Sequence, residues 1–197
     1  MAARATFYYD LGSPYAYLSA ERISGLFTAA GLEQPEWQPI LLGGLFRHFD
    51  RGSWALTEAR AEGIAEIERR AAAQGLPPLV WPDPWPGEML TAMRAATFAK
   101  QTGRTIAFSL AAFRQQFAAG KDLTDPDNVM IAAAACELHP RALANAIRTR
   151  AVKDALREAT DAAAVAGVFG VPSVRVGEQV FWGDDRLEDA VEAAATG

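Results

Sequence analysis

The sequence predicts an α/β fold in which strands from both ends of the chain form one sheet around an all-helical insertion. Three observations predict it. Residues 5–11, Ala-Thr-Phe-Tyr-Tyr-Asp-Leu, form a short aromatic-rich run of strand character ending near Asp10, and strand signals recur from Glu36 to Leu42. The stretch from Thr57 to Arg150 is instead mostly alanine-rich and helix-periodic. Strand signals then return at Ser173 to Val176 and Gln179 to Trp182, joined by Gly177-Glu178, the two-residue link of a hairpin.

Each element follows from local chemistry. After the first strand, Gly12, Ser13 and Pro14 mark a sharp change: serine is a helix N-cap, and proline supplies a helical φ where no amide hydrogen is needed. Tyr17, Leu18, Ile23, Leu26 and Phe27 continue the helix at three- and four-residue spacings, and Gly31 closes it. With the strand from Glu36 to Leu42 this makes a β-α-β opening of the kind that builds a parallel pair. Helical segments follow at Thr57 to Gln74, Glu88 to Thr102, Ile106 to Ala119 and Asp125 to Arg150, broken at Gly75 to Pro86, Gly120 and Pro140. No strand signal there is longer than Leu79 to Trp81. The proline-rich run from Pro77 to Pro86 reads as a stiff crossing between helices, with a proline-motif ligand as the alternative. A helix from about Val152 to Ala166 leads to the terminal hairpin, and a last helix follows Asp184. The expected division is residues 1–57 with 148–197 as the sheet domain, and 58–147 as the helical insertion domain.

Composition narrows the function classes. The chain has 197 residues, half of them hydrophobic, with alanine at 41 positions. A net charge of −5 gives no whole-chain attraction for phosphate backbones or anionic lipid, so neither nucleic acid nor membrane is expected as a partner. No apolar run approaches a membrane span, and the first residues lack a secretory pattern. The single cysteine, Cys136, cannot form an internal disulfide, which fits a cytoplasmic setting. With only His48 and His139 besides, no metal site is expected.

Three constellations carry chemistry. Asp10-Leu-Gly-Ser13-Pro-Tyr15-Ala-Tyr17 lies where a strand's carboxyl end meets a helix's amino end, so Ser13 reads either as a plain cap or as a donor to an anion at the helix terminus. A nucleophilic role would need a general base, and His48 is the sole plausible one. In Gly167-Val-Phe-Gly170-Val171-Pro172-Ser173-Val174 a proline immediately precedes a strand. It is either an ordinary strand-start proline or, if the Val171-Pro172 bond is cis, a device that turns the Val171 backbone towards a ligand. In Phe181-Trp182-Gly183-Asp184-Asp185-Arg186-Leu187 two carboxylates open a helix, where they complement its dipole or hold an ammonium group.

These segments, with Leu41-Leu-Gly-Gly-Leu-Phe46 and Leu90-Thr-Ala-Met-Arg94, resemble the 2-hydroxychromene-2-carboxylate isomerase and kappa-class glutathione transferase family, over about residues 5–190. The broader relatives of that family are thiol-disulfide oxidoreductases of the DsbA type. The resemblance implies a thioredoxin-like fold with an all-helical insertion. It implies that Ser13 is the catalytic residue, holding the sulfur of glutathione at the start of the Pro14, Tyr15 helix. By the same resemblance Pro172 is the cis-proline, Val171 pairs through its backbone with the cysteinyl unit, and Asp184 and Asp185 hold the γ-glutamyl end. DsbA-type relatives carry Cys-x-x-Cys where this chain has Ser13-Pro-Tyr-Ala16, so dithiol exchange is excluded. The family's asparagine beyond the Gly-Gly pair is missing from Arg47-His-Phe-Asp-Arg-Gly-Ser-Trp54, and Arg51 or a neighbour is the expected replacement. If neither replaces it, the chain takes a different low-molecular-weight thiol or none. The implied activity is a glutathione-dependent isomerase of an unsaturated aromatic keto acid, assembled as a homodimer. The alternatives are a kappa-class-like glutathione transferase acting on electrophiles and a non-catalytic thioredoxin-fold binding protein.

Overall fold

The computed structural model describes residues 4–197. Its four-stranded sheet has the order β2-β1-β3-β4, with β1 at Thr6–Tyr9, β2 at Glu36–Pro39, β3 at Ser173–Val176 and β4 at Gln179–Trp182. β1 runs parallel to β2, pairing Tyr8 with Gln38, and antiparallel to β3, pairing Phe7 with Val174. The two ends of the chain therefore meet in one thioredoxin-like sheet, as predicted. The terminal hairpin has the expected link, with Gly177 at φ 58°.

Helices cover both faces of this sheet, which explains why β1 is apolar throughout rather than alternating. Successive side chains point to opposite faces. Phe7 and Tyr9 enter the main core, and Tyr8 enters a second cluster with Ile40, Leu45, Ala163, Val168 and Val171. The first helix, α1, spans Pro14–Ala29 and caps as expected on Ser13. The strand expected from Glu36 to Leu42 stops at Pro39, and Leu42–His48 forms a helix, α2, that the sequence reading did not contain. The reason is long-range: the Leu41 amide donates to Thr160 Oγ1 at 3.0 Å and the Leu42 amide to Asp10 Oδ2 at 2.8 Å, turning the chain off the sheet.

Between β2 and β3 the described residues contain no further strand. The helices there are α3 (Arg60–Ala73), α4 (Leu90–Gln101), α5 (Thr105–Phe117), α6 (Pro126–Ala134), α7 (Pro140–Ala146) and α8 (Arg150–Val165); α9 (Leu187–Thr196) ends the chain. The segment from Asp125 to Arg150 divides where Glu137 adopts φ 61° and His139 caps α7 ahead of Pro140. Residues 79–81 form no ladder; of their backbone amides that of Val80 donates to the Phe117 carbonyl at 2.8 Å, and the Trp81 indole donates to Glu68 Oε1 at 2.9 Å. The stiff proline run crosses from α3 to α4 with cis bonds at Asp83-Pro84 and Trp85-Pro86.

The insertion shares its core with the sheet. Phe108, Phe113 and Phe117 of α5 are fully buried against Tyr9 and Tyr17, with Tyr17 and Phe117 stacked at 5.7 Å. Within this contact the Tyr9 hydroxyl and Ser109 Oγ lie 2.6 Å apart, both buried. Tyr9→Phe leaves the serine hydroxyl without that partner, so urea unfolding should show a loss of about 1 to 2 kcal/mol. An unchanged midpoint would mean that Ser109 recovers the bond within α5.

Candidate active site

The loop from Asp10 to Ser13 is held from several directions, and each hold acts on the position of Ser13. The Asp10 carboxylate accepts from the Gly12 amide through Oδ1 at 2.8 Å and from the Leu42 amide through Oδ2 at 2.8 Å. Its carbonyl accepts from the Ser13 amide at 3.0 Å. Trp85 Nε1 donates to the Gly12 carbonyl at 3.3 Å. Any Cβ at residue 12 would come within 2.7 Å of Met89 Cγ, which explains a glycine there. Burial pushes the Asp10 carboxyl up to about 6, against the pull of the Leu42 and Gly12 amides; the charge of Glu88 adds to the rise.

Ser13 is buried and its Oγ accepts from the Ala16 amide at 3.2 Å, the capping bond. The hydroxyl proton is directed at the Val171 carbonyl, 3.5 Å away, at the outer limit of a hydrogen bond. A capped helix terminus thus presents one weakly engaged O–H donor. No histidine bonds Ser13 among the described residues. His48 is exposed on α2, edge-on to Phe49, which leaves Ser13 without the base a nucleophilic serine requires.

The Val171-Pro172 bond is cis. Carbonyls along the surrounding loop tie the three sequence constellations together: Phe169 accepts from Arg51 Nη1 at 3.2 Å, Val171 faces Ser13, and Pro172 accepts from the Gly183 amide at 3.0 Å. Among the described residues nothing accepts from the Val171 amide, so this residue offers a peptide-like ligand an unused donor beside its carbonyl. Gly183 adopts φ 120°, a conformation that side chains rarely take, and this places Asp184 directly beyond the proline loop. Arg51 stacks over the Phe169 and Trp182 rings at 5.6 and 5.7 Å.

The two acidic residues differ sharply. Asp184 is buried and its Oδ1 accepts from Arg70 Nη1 of α3 at 2.7 Å; burial raises its carboxyl above the usual range despite the neighbouring guanidinium. Asp185 is exposed. Together with Arg22, Arg70 and Gln74 they line a cleft of about 430 Å³. Arg70 reaches back to lie 5.6 Å over the Tyr15 ring, and Tyr15 in turn packs on Trp54. Pro14 is buried at the first position of α1. The cleft carries charges of both signs next to the start of α1, an arrangement that suits an amino-acid zwitterion. Sequence reasoning missed Arg70, because Glu66 and Arg70 look like any solvated i,i+4 pair. Trp85 was expected only as one of several aromatic side chains near the site, with no mark of the Gly12 carbonyl as its target.

Such a site, a serine at the first thiol position of a helix facing a cis-proline loop, defines a thioredoxin-fold protein that has lost its dithiol. The chain belongs to the DsbA-like thioredoxin domain family, whose pattern matches residues 5–195. It is 28% identical over 194 residues to a 2-hydroxychromene-2-carboxylate isomerase of Sphingobium xenophagum, spanning 95% of this chain and 96% of that one. Among solved structures it is similar to a 2-hydroxychromene-2-carboxylate isomerase at TM-score 0.85 and 22% identity, over 98% of this chain and 94% of the other. A probable DsbA oxidoreductase from Streptomyces coelicolor matches at TM-score 0.75 and 20% identity, over 98% and 89%. At these identities the two structures speak for the fold alone. No helix of the described residues is long and apolar enough to cross a membrane.

Proposed function

We propose that this protein is a glutathione-dependent isomerase of the 2-hydroxychromene-2-carboxylate isomerase type. The observation that carries the reading is the Ser13 hydroxyl, capped onto α1 and aimed at the Val171 carbonyl from 3.5 Å, loose enough to turn to a better acceptor. The likeness to the Sphingobium isomerase over nearly the whole chain supports the same reaction class.

The residues present fit glutathione. Ser13 and the one free amide at the start of α1, that of Tyr15, favour a thiolate, the unused Val171 amide and the adjacent carbonyl suit its cysteinyl unit, and the cleft of Arg22, Arg70 and Asp185 suits the γ-glutamyl zwitterion. Asp184 acts by holding Arg70 in place. A free thiol has a pKa of about 8.5, and each unit of downward shift needs about 1.4 kcal/mol. A helix terminus contributes up to about 2 kcal/mol and a charge-assisted hydrogen bond about 1.5 to 3, enough for a shift of two units or more. When bound, glutathione would supply a nucleophilic sulfur that adds to a carbon conjugated with a carbonyl and leaves again after bond rotation. The protein's own part is to orient the sulfur, hold it ionised and exclude bulk water.

Incubating the protein with 2-hydroxychromene-2-carboxylate, with and without glutathione, tests the reading. Product should form only when glutathione is present, and glutathione should not be consumed. Stoichiometric consumption would favour the transferase reading, and absence of glutathione binding by calorimetry would leave a non-catalytic binding protein. Asp185→Asn should weaken glutathione binding about threefold with stability unchanged within about 0.5 kcal/mol, because the residue is exposed. Unchanged affinity would reduce Asp185 to a complement of the helix dipole.

A further inference from the structure

The carbonyl of Gly12, the residue before Ser13, is held by a side chain of the helical insertion. Trp85 is buried, and its Nε1 donates to that carbonyl at 3.3 Å across 73 positions of sequence. An indole has one polar hydrogen, and among the described residues the Gly12 carbonyl accepts from nothing else, so each partner depends on the other. The N–H of the same Gly12–Ser13 peptide goes to the Asp10 carbonyl at 3.0 Å. Turning this peptide plane would strain both bonds together. Glycine restricts its own backbone less than any other residue, so these two bonds, rather than local sterics, hold the plane.

The direction of the Ser13 hydroxyl follows from that plane. Ser13 sits at φ −92° and ψ 114°, and its Oγ reaches the Ala16 amide at 3.2 Å and the Val171 carbonyl at 3.5 Å at once. The second distance is already at the outer limit of a hydrogen bond, so a small turn of the peptide would move the hydroxyl off one partner or the other. Trp85 has little freedom to follow such a turn. Arg60 Nη2 donates to its carbonyl at 2.9 Å, and the Arg60 guanidinium lies 5.6 Å over its ring. Trp81 and Trp54 pack on the ring at 4.6 and 5.6 Å, and Trp54 continues to Tyr15 at 6.1 Å. A donor carried on a ring packed in this way is already ordered, so keeping it aimed costs little further entropy.

We propose that Trp85 is a positioning residue for the thiol site: its indole N–H fixes the Gly12–Ser13 peptide plane and, through it, the direction of the Ser13 hydroxyl. The effect on a bound thiol rests on the function proposed above; the hold on the peptide rests on the geometry alone.

Two changes at position 85 of the full chain test it: Trp85→Phe, and incorporation of benzothienylalanine, which keeps the shape of the indole and removes only its N–H. The second reports even if Trp85→Phe folds poorly. Without ligand, hydrogen exchange of the Ser13 amide, followed by NMR, should accelerate about tenfold in either variant, because the bond to Asp10 opens more often once the plane is freed. With glutathione, thiolate absorbance against pH should place the bound thiol's pKa about 0.5 unit higher, about a threefold change in the thiol to thiolate ratio. In a Ser13→Ala background the same change at Trp85 should add nothing to that pKa, because the indole acts through the serine; a general loosening of the site would add to it. Unchanged exchange at Ser13, an unchanged thiol pKa, or an equal rise in the Ser13→Ala background would each overturn the proposal. Failure of the wild-type protein to bind glutathione would fail the thiol-dependent function, and the exchange of the Ser13 amide would still decide whether Trp85 holds the peptide.

Discussion

Replacing Ser13 with alanine is expected to raise the pKa of the bound glutathione thiol by about one to two units, shifting the thiol to thiolate ratio about ten- to a hundredfold. The magnitude follows from removing one charge-assisted O–H donor worth about 1.5 to 3 kcal/mol while the amides of α1 remain. The substitution also removes the acceptor of the Ala16 amide, so it should cost about 1 kcal/mol of stability as any lost N-cap does. These two consequences separate by measurement: thiolate absorbance against pH reads the first, and denaturant unfolding reads the second. Ser13→Thr keeps both a hydroxyl and a cap and should restore the low titration. Coincident titrations of wild type and Ser13→Ala would leave Ser13 a structural cap, and a covalent adduct on its oxygen would make it a nucleophile instead.

Asp10→Asn should change the pH dependence of stability by about 3 kcal/mol, and in a direction opposite to that of a carboxylate held low by an ion pair. The Asp10 carboxyl is raised from the ordinary 3.8 to about 6, chiefly by burial. The unfolded chain therefore releases its proton first. The stability linked to Asp10 is fully present below about pH 4 and is lost as pH rises through about 6. A shift of about two units corresponds to about 3 kcal/mol at neutral pH. Asparagine imitates the protonated side chain, so the variant should match wild type most closely at acid pH and gain on it by about 3 kcal/mol between pH 4 and pH 8. Urea midpoints across that range provide the check. A constant difference at every pH would mean that the Gly12 and Leu42 amides offset the whole cost of burying the charge. The same carboxylate fastens the Ser13 loop to the start of α2, so the site keeps an ionised Asp10 at neutral pH at the expense of stability.

How much of this was legible in the chain depends on the range of the interactions. The cap on α1 and the hairpin link at Gly177-Glu178 were expected from residues within a few positions of one another, whereas the cis bond before β3 was expected from the family resemblance, its neighbours alone leaving an ordinary strand-start proline equally open. Capping, turn conformation and side-chain period are settled by near neighbours. The order of strand and helix signals also implied that the two ends share a sheet, because short strands at each end bury their apolar faces only together. The resemblance of the segments around Ser13, Pro172 and Asp184 named candidate site residues, yet it could not distinguish Asp184 from Asp185.

Tertiary structure alone decided what those residues touch. Arg70 comes from α3, over a hundred positions before Asp184, and turns one member of the acidic pair into an internal ion-pair partner while leaving the other exposed. Trp85 reaches Gly12 across 73 positions, and Thr160 with Asp10 converts the expected end of β2 into the start of α2. Period and capping chemistry determine how a segment folds and which face it buries. Which distant charge meets that face is set by packing, where burial makes an unpaired group costly and so selects the partner.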